Sequence, residues 1–179
     1  MVKPAGLISK GESITLLPAG STFTRLEAVI SSNIIAYGSA CIITLMPIAI
    51  DRIDHIVLTV FDLERTLDFY ARVLGMEPVT FAGGRRGLAF GRQKLNLHQA
   101  GREFEPKALN PGPGAIDLCF IASTPLEEVI GVLRSEGVAI IEGPVPKTGA
   151  LGPMMSVYFR DPDGNLVEVS NYSAGLVPS

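Results

Sequence analysis

The sequence has no tryptophan, two histidines and two cysteines among its 179 residues. Cys41 and Cys119 cannot form a disulfide framework, and neither sits in a Cys-x-x-Cys pair, which excludes zinc-ribbon and thioredoxin-type chemistry. Cys119 lies in an apolar run and reads as a small core residue. Charge is sparse as well: charged residues make up 18% of the chain and the formal net charge is −3. A chain without a cationic surface cannot neutralise a row of phosphates, so no nucleic-acid partner is expected. The densest basic stretch, Arg85, Arg86, Arg92 and Lys94, is punctuated by glycines and reads as a solvated loop. What the chain has in quantity is apolar: 47% of its residues are hydrophobic, enough for the core of one compact domain or of two small fused modules.

Residues 1–50 read as a poorly defined extension. Residues 1–27 are irregular, with Gly6, Gly11, Pro18 and Gly20 scattered through them, whereas residues 28–50 carry no formal charge. That second length would cross a bilayer as a single helix. Ser31, Ser32, Asn33, Gly38 and Ser39 dilute it, Pro47 interrupts it, and Lys3 and Lys10 lie far from it for a secretory signal. An unordered or misassigned start, a packing element against the domain or a dimer partner, a targeting segment and a membrane anchor all stay open. A cytoplasmic location without a membrane partner is the expectation.

From residue 51 the pattern sharpens into a domain expected to span 51–175. Residues 53–60 form a β-branched apolar run typical of a strand. Asp62 can cap a helix whose stripe is Leu63, Leu67, Tyr70 and Leu74, and Gly75 is placed to stop it. Strands are expected at 76–81, 87–91 and 94–98, with a turn at Gly83 and Gly84. After a polar, proline-containing linker at about 100–113 the order begins again. Residues 115–122 read as a strand. Thr124, Pro125 and Glu127 suggest an N-cap, a first-turn proline and a capping box for a helix carrying Leu126, Val129, Ile130 and Leu133, which Gly137 stops. Strands follow at 138–141, 153–159 and 166–169, the last two joined by the turn Asp161-Pro162-Asp163-Gly164. The segment 143–149 reads as a Gly/Pro-rich loop, which Gly149 and Gly152 could leave free to cover a cavity.

His55 and Asp117 lie 62 positions apart, and so do Gly75 and Gly137. The shared offset implies two copies of one unit: module one at about 52–99 and module two at about 114–172. The implied fold is α+β, two βαβββ modules in one chain forming a curved mixed sheet around a cavity, with helices on the opposite face.

Three ionisable residues interrupt the apolar strands: His55, Asp117 and Glu168. Each could be a hydrogen-bonded, edge or solvent-facing residue. Together, one imidazole and two carboxylates suit a divalent ion (Zn, Ni, Mn, Fe or Co) with positions left open for substrate. His98 could add a fourth ligand or transfer a proton, and Asn96 occupies the place that the repeat matches to Glu168. Lys107, Lys147 and Thr148 read as surface polarity or as groups that steer a carboxylate-bearing substrate.

Residues 68–76 (DFYARVLGM), 90–98 (FGRQKLNLH) and 155–172 (MSVYFRDPDGNLVEVSNY) carry a resemblance to the glyoxalase / bleomycin-resistance / extradiol-dioxygenase superfamily, with its vicinal oxygen chelate fold. Residues 103–108 (EFEPKA) and 143–149 (GPVPKTG) narrow the resemblance to a glyoxalase-domain subgroup. It implies metal ligands on the first and last strands of each module. The first-strand histidine falls on His55 and the closing glutamate on Glu168. Asp117 stands where a second histidine is common, and Asn96, with His98 just beyond, where isomerases often have glutamate. The implied activity is a metal-dependent lyase or isomerase acting on a small oxygen-rich substrate, with Glu168 and His98 as catalytic groups. An extradiol-type dioxygenase, a non-catalytic small-molecule binding protein and a structural protein with a relict site are the alternatives. Many related proteins are homodimers, and in some the site lies between subunits.

Overall fold

The computed structural model describes residues 34–37, 41–44 and 47–173. The chain divides into two units, residues 1–51 and 52–179. In the first, β1 (Ile34–Tyr37) and β2 (Cys41–Thr44) pair antiparallel. The uncharged run at 28–50 therefore contains two strands rather than one helix. The readings placed on residues 1–27 fall outside the described residues. No helix among the described residues is long and apolar enough to cross a membrane.

The second unit holds two copies of one topology. The first is β3 (His55–Val60), α1 (Leu63–Leu74), β4 (Glu77–Phe81), β5 (Arg85–Phe90) and β6 (Gln93–Gln99), with strand order β3-β6-β5-β4. The second is β7 (Asp117–Ile121), α2 (Leu126–Ser135), β8 (Ile140–Gly149), β9 (Gly152–Arg160) and β10 (Leu166–Tyr172), with strand order β7-β10-β9-β8. In each sheet the first strand runs parallel to the last and the other pairs are antiparallel. The architecture is thus α+β, with two four-stranded mixed sheets.

Strand alternation gives each sheet an apolar face and an open face. Leu58 and Val60 of β3 share a face with Leu95 and Leu97 of β6, while Leu118 of β7 lies beside Val167 and Val169 of β10; all are buried. Both apolar faces join α1 and α2 in one core. Phe90 of the first module meets Phe120 of the second edge-on at 5.3 Å, and Phe69 of α1 lies 6.3 Å from Phe159 of β9. The Asp161–Gly164 turn ties the modules together through polar contacts. Asp161, buried, accepts from the Tyr70 hydroxyl at 3.0 Å, and Asp163 accepts from Phe61 N at 2.8 Å and Thr66 Oγ1 at 3.0 Å. With the apolar faces packed together, the open faces of the two sheets point away from the shared core.

Helix α1 has the expected ends. Asp62 accepts from Arg65 N at 3.0 Å, and Gly75 adopts φ 66°. Helix α2 differs. Pro125 takes the N-cap position, no side chain caps the helix, and the expected Thr124/Glu127 capping box does not form. Proline in this position turns the chain and leaves Thr124 one residue too early to cap. The expected loop at 143–149 is also different, being the far half of β8. Pro144 and Pro146 are tolerated because β8 is an edge strand, where a missing N–H removes no ladder bond. Lys147, Thr148 and Gly149 therefore belong to a strand, and Gly149 and Gly152 face each other across a tight hairpin rather than giving freedom to a lid. Nor is the basic stretch a loop: Arg85 and Arg86 lie in β5, Lys94 in β6, and Arg92 in the turn between them.

Candidate functional site

On the open face of sheet one, β3 presents His55, Val57 and Thr59, and β6 presents Lys94, Asn96 and His98, paired in that order. His55 is exposed, and its Nδ1 lies 2.7 Å from Asp54 Oδ1. That hydrogen bond holds the Asp54 carboxyl below its ordinary range. An ionised Asp54 accepts from Nδ1–H, so in the neutral imidazole Nε2 is the nitrogen left to bind a metal. Asn96, one pair along, is partly buried, and its Oδ1 is buried without a hydrogen-bond partner.

His98 lies opposite Thr59, four residues beyond His55. At strand rise that separates the two histidines by about 13 Å, so one chain does not bring them to a common ion. His98 is buried, its ring 5.5 Å from that of Phe104. Burial, then the nearby Arg85 and Lys107 charges, hold its pKa below 6.5 against the opposing pull of Glu103. It lines a cleft of 480 Å³ floored by Val57 and Thr59 and walled by linker residues including Pro106, Lys107 and Pro111.

The open face of sheet two repeats the arrangement. Glu168 faces Cys119 on one side and Tyr158 on the other, as Asn96 faces Val57 and Gly87. Asp117 is exposed at the start of β7 and pairs with Leu166, two residues before Glu168. Around Glu168 is a set of donors that sequence reasoning did not single out. Ser170 Oγ donates to Oε1 at 3.2 Å and is itself 2.8 Å from Ser156 Oγ, and both serines are fully buried. Burial would raise the Glu168 pKa, but hydrogen bonds from Ser156, Tyr158, Ser170 and Cys119 outweigh it and hold the carboxyl below its usual range. Burial and the hydrogen bond to Glu168 push the Tyr158 hydroxyl up to about 12. Strand pairing alone would have revealed these donors, because Tyr158 and Ser156 neighbour Glu168 only across the β9–β10 ladder.

Among the described residues, no three His, Cys, Asp or Glu side chains gather as a metal-binding group. Instead the structure splits the candidates. His55, Asn96 and His98 lie on the open face of one sheet, and Asp117 and Glu168 on that of the other.

Residues 52–169 match the Glyoxalase/Bleomycin resistance protein/Dioxygenase superfamily. The chain is similar to virulence protein STM3117 of Salmonella typhimurium, with 58% identity over 123 residues, 69% of this chain and 85% of that one. Its fold is similar to that of the integron cassette protein VCH_CASS1 from the V. cholerae mobile metagenome, with TM-score 0.70 and 55% identity over 72% of this chain and all of that one. A lactoylglutathione lyase from Agrobacterium tumefaciens is similar at TM-score 0.56 and 25% identity, over 72% of this chain and all of that one. The chain therefore belongs to the Glyoxalase/Bleomycin resistance protein/Dioxygenase superfamily.

Proposed function

We propose that the protein is a metal-dependent lyase or isomerase acting on a small oxygen-rich compound, with the ion held between two copies of the chain. The observation that carries this reading is the split of ligand-type side chains between the outward faces of two sheets that share one core. An isologous pair that sets sheet one of one copy against sheet two of the other joins His55 with Asp117 and Glu168 twice over. Val57 and Ile121, exposed apolar residues beside those groups, give such a contact something to bury.

The residues fit a divalent ion. His55 offers a nitrogen whose tautomer Asp54 fixes, Glu168 is kept ionised by its donors, and the orphaned Asn96 oxygen is a further neutral donor. When bound, the ion polarises a substrate oxygen. Glu168, aimed by Ser170 and Tyr158, is the group to take a proton from the substrate. His98, on the neighbouring strand and four ladder steps from His55, contacts the substrate rather than the ion. The similarity to a protein named lactoylglutathione lyase supports the reaction class.

The test is metal analysis of purified protein, of His55→Ala and Glu168→Ala, and of the two variants refolded together. Each variant alone should lose the ion. The mixture should regain about one ion per four chains, because half the dimers are hybrids with one intact site. No recovery in the mixture would sink the shared site.

A second reading, sequestration of a ligand without turnover, draws support from the cleft at His98, which forms within one chain. Binding of small molecules unaffected by a chelator, with no divalent-dependent turnover, would favour it.

A further inference from the structure

Three cations lie along the open face of sheet one, Lys94 beside His55 and Arg85 and Lys107 near His98, and each is fixed differently. Lys94 sits 3.8 Å over the Phe81 ring. Lys107 is committed to carboxylates, 3.3 Å from Glu103 and 3.8 Å from Glu105. Arg85 has its guanidinium 4.9 Å from the centre of the Phe104 ring, and no carboxylate pairs with it among the described residues. Arg85 continues the β5–β6 ladder one step past the Arg86–Leu97 pair, which sets it beside His98. Phe104 thus touches both Arg85 and His98, and His98 in turn lines the cleft.

The cleft itself is mostly apolar. Val57, Pro106, Ala108, Pro111, Ala115 and Ile116 supply its apolar lining, and Thr59, His98, Lys107 and Asn110 its hydrogen-bonding groups. Its 480 Å³ suits a small molecule rather than a polymer. An apolar slot lined by His98, with the unpaired guanidinium of Arg85 beside that histidine, selects a particular kind of guest. The planar fork of Arg matches the two oxygens of a carboxylate or the face of a phosphonate, and stacking on Phe104 pre-orients it for that contact.

We propose that the cleft takes the apolar body of a small oxyanion-bearing compound and that Arg85, stacked on Phe104, grips its anionic group. As a substrate subsite this rests on the reading above, but its test does not need the metal. Lys107 contributes less, because Glu103 and Glu105 already offset its charge.

The experiment titrates wild-type protein with benzoate, phenylphosphonate and the neutral benzamide, following the Thr59 amide and the His98 ring by NMR. Saturable shifts at both positions with either anion, at least tenfold tighter than with benzamide, are expected. The tighter anion identifies the headgroup chemistry. Arg85→Met, which keeps an apolar stem on Phe104, should weaken anion binding about tenfold and leave benzamide unchanged, while Arg85→Lys, which keeps the charge but loses the planar fork, should fall between that variant and the wild type. Equal affinity for benzoate and benzamide in the wild type overturns the proposal, as does undiminished anion binding by Arg85→Met. Metal content read on the same samples keeps the two ideas apart: His55→Ala should lose the ion and still bind benzoate.

Discussion

At the scale of single residues, Asp161 shows how a buried carboxylate is made tolerable. It accepts from the Tyr70 hydroxyl, from the Asn165 side chain at 2.7 Å, from Asn165 N at 2.8 Å and from Asp163 N at 2.9 Å. Burial first, then the Asp161 charge, pushes the Tyr70 hydroxyl far above its usual range, so it remains a donor at any working pH. Tyr70→Phe should cost about 1.5–3 kcal/mol in denaturant unfolding, the usual worth of a hydrogen bond to a charged group. His98 makes a second residue-scale prediction. Its folded pKa lies below 6.5, so its contribution to stability is complete above 6.5 and is lost as pH falls through the lowered value. Its ring resonances should titrate below 6.5, and Arg85→Met should move that midpoint upward by removing a positive neighbour. An unchanged midpoint would mean that Arg85 does not act on His98.

At the scale of elements, two helix starts and one tight strand crossing separate real signals from apparent ones. Asp62→Ala should cost about 1 kcal/mol, because its side chain caps α1. Thr124→Ala, at a start with no side-chain cap, should change thermal stability hardly at all. Gly87→Ala should destabilise by about 1–3 kcal/mol, because a methyl there would sit 2.7 Å from the Leu95 carbonyl and press on the Phe81 ring. The helical stripes and left-handed glycine stops were legible because their periodicity and punctuation are local. β8 was not, since its glycine and prolines are turn signals unless the segment is known to lie at a sheet edge. The Arg85–Lys94 stretch was misread for the same reason: Gly83, Gly84 and Gly91 mark the turns on either side of β5, while the strand between them keeps its arginines.

At the scale of the whole molecule, the 62-residue offset carried the fold, because two equal modules admit few arrangements. The repeated order of strands, rather than the offset itself, matched Asn96 to Glu168 in the closing strands of the two modules, and the strand pairing puts them in equivalent places. The offset could not say which faces of the two sheets would meet, and that decides whether the candidate ligands share one chain. The shared-site reading makes a prediction at this scale: the protein should weigh as a dimer by light scattering. Substitution of both Val57 and Ile121 by Asp should shift it toward monomer and release the ion together. A monomer that keeps its ion would contradict a site built from two copies.

The prolines in the strands have a consequence for assembly. Pro78 lies in β4 and Pro144 and Pro146 in β8, the corresponding outer edges of the two sheets. A proline offers no amide hydrogen, so neither border can template an added strand along its length. The opposite borders, β3 and β7, contain no proline and begin with His55 and Asp117. Growth of either sheet by recruitment of another chain is therefore confined to the sides that start with these two residues, and fibre-like stacking through the remaining pair is blocked by covalent structure alone.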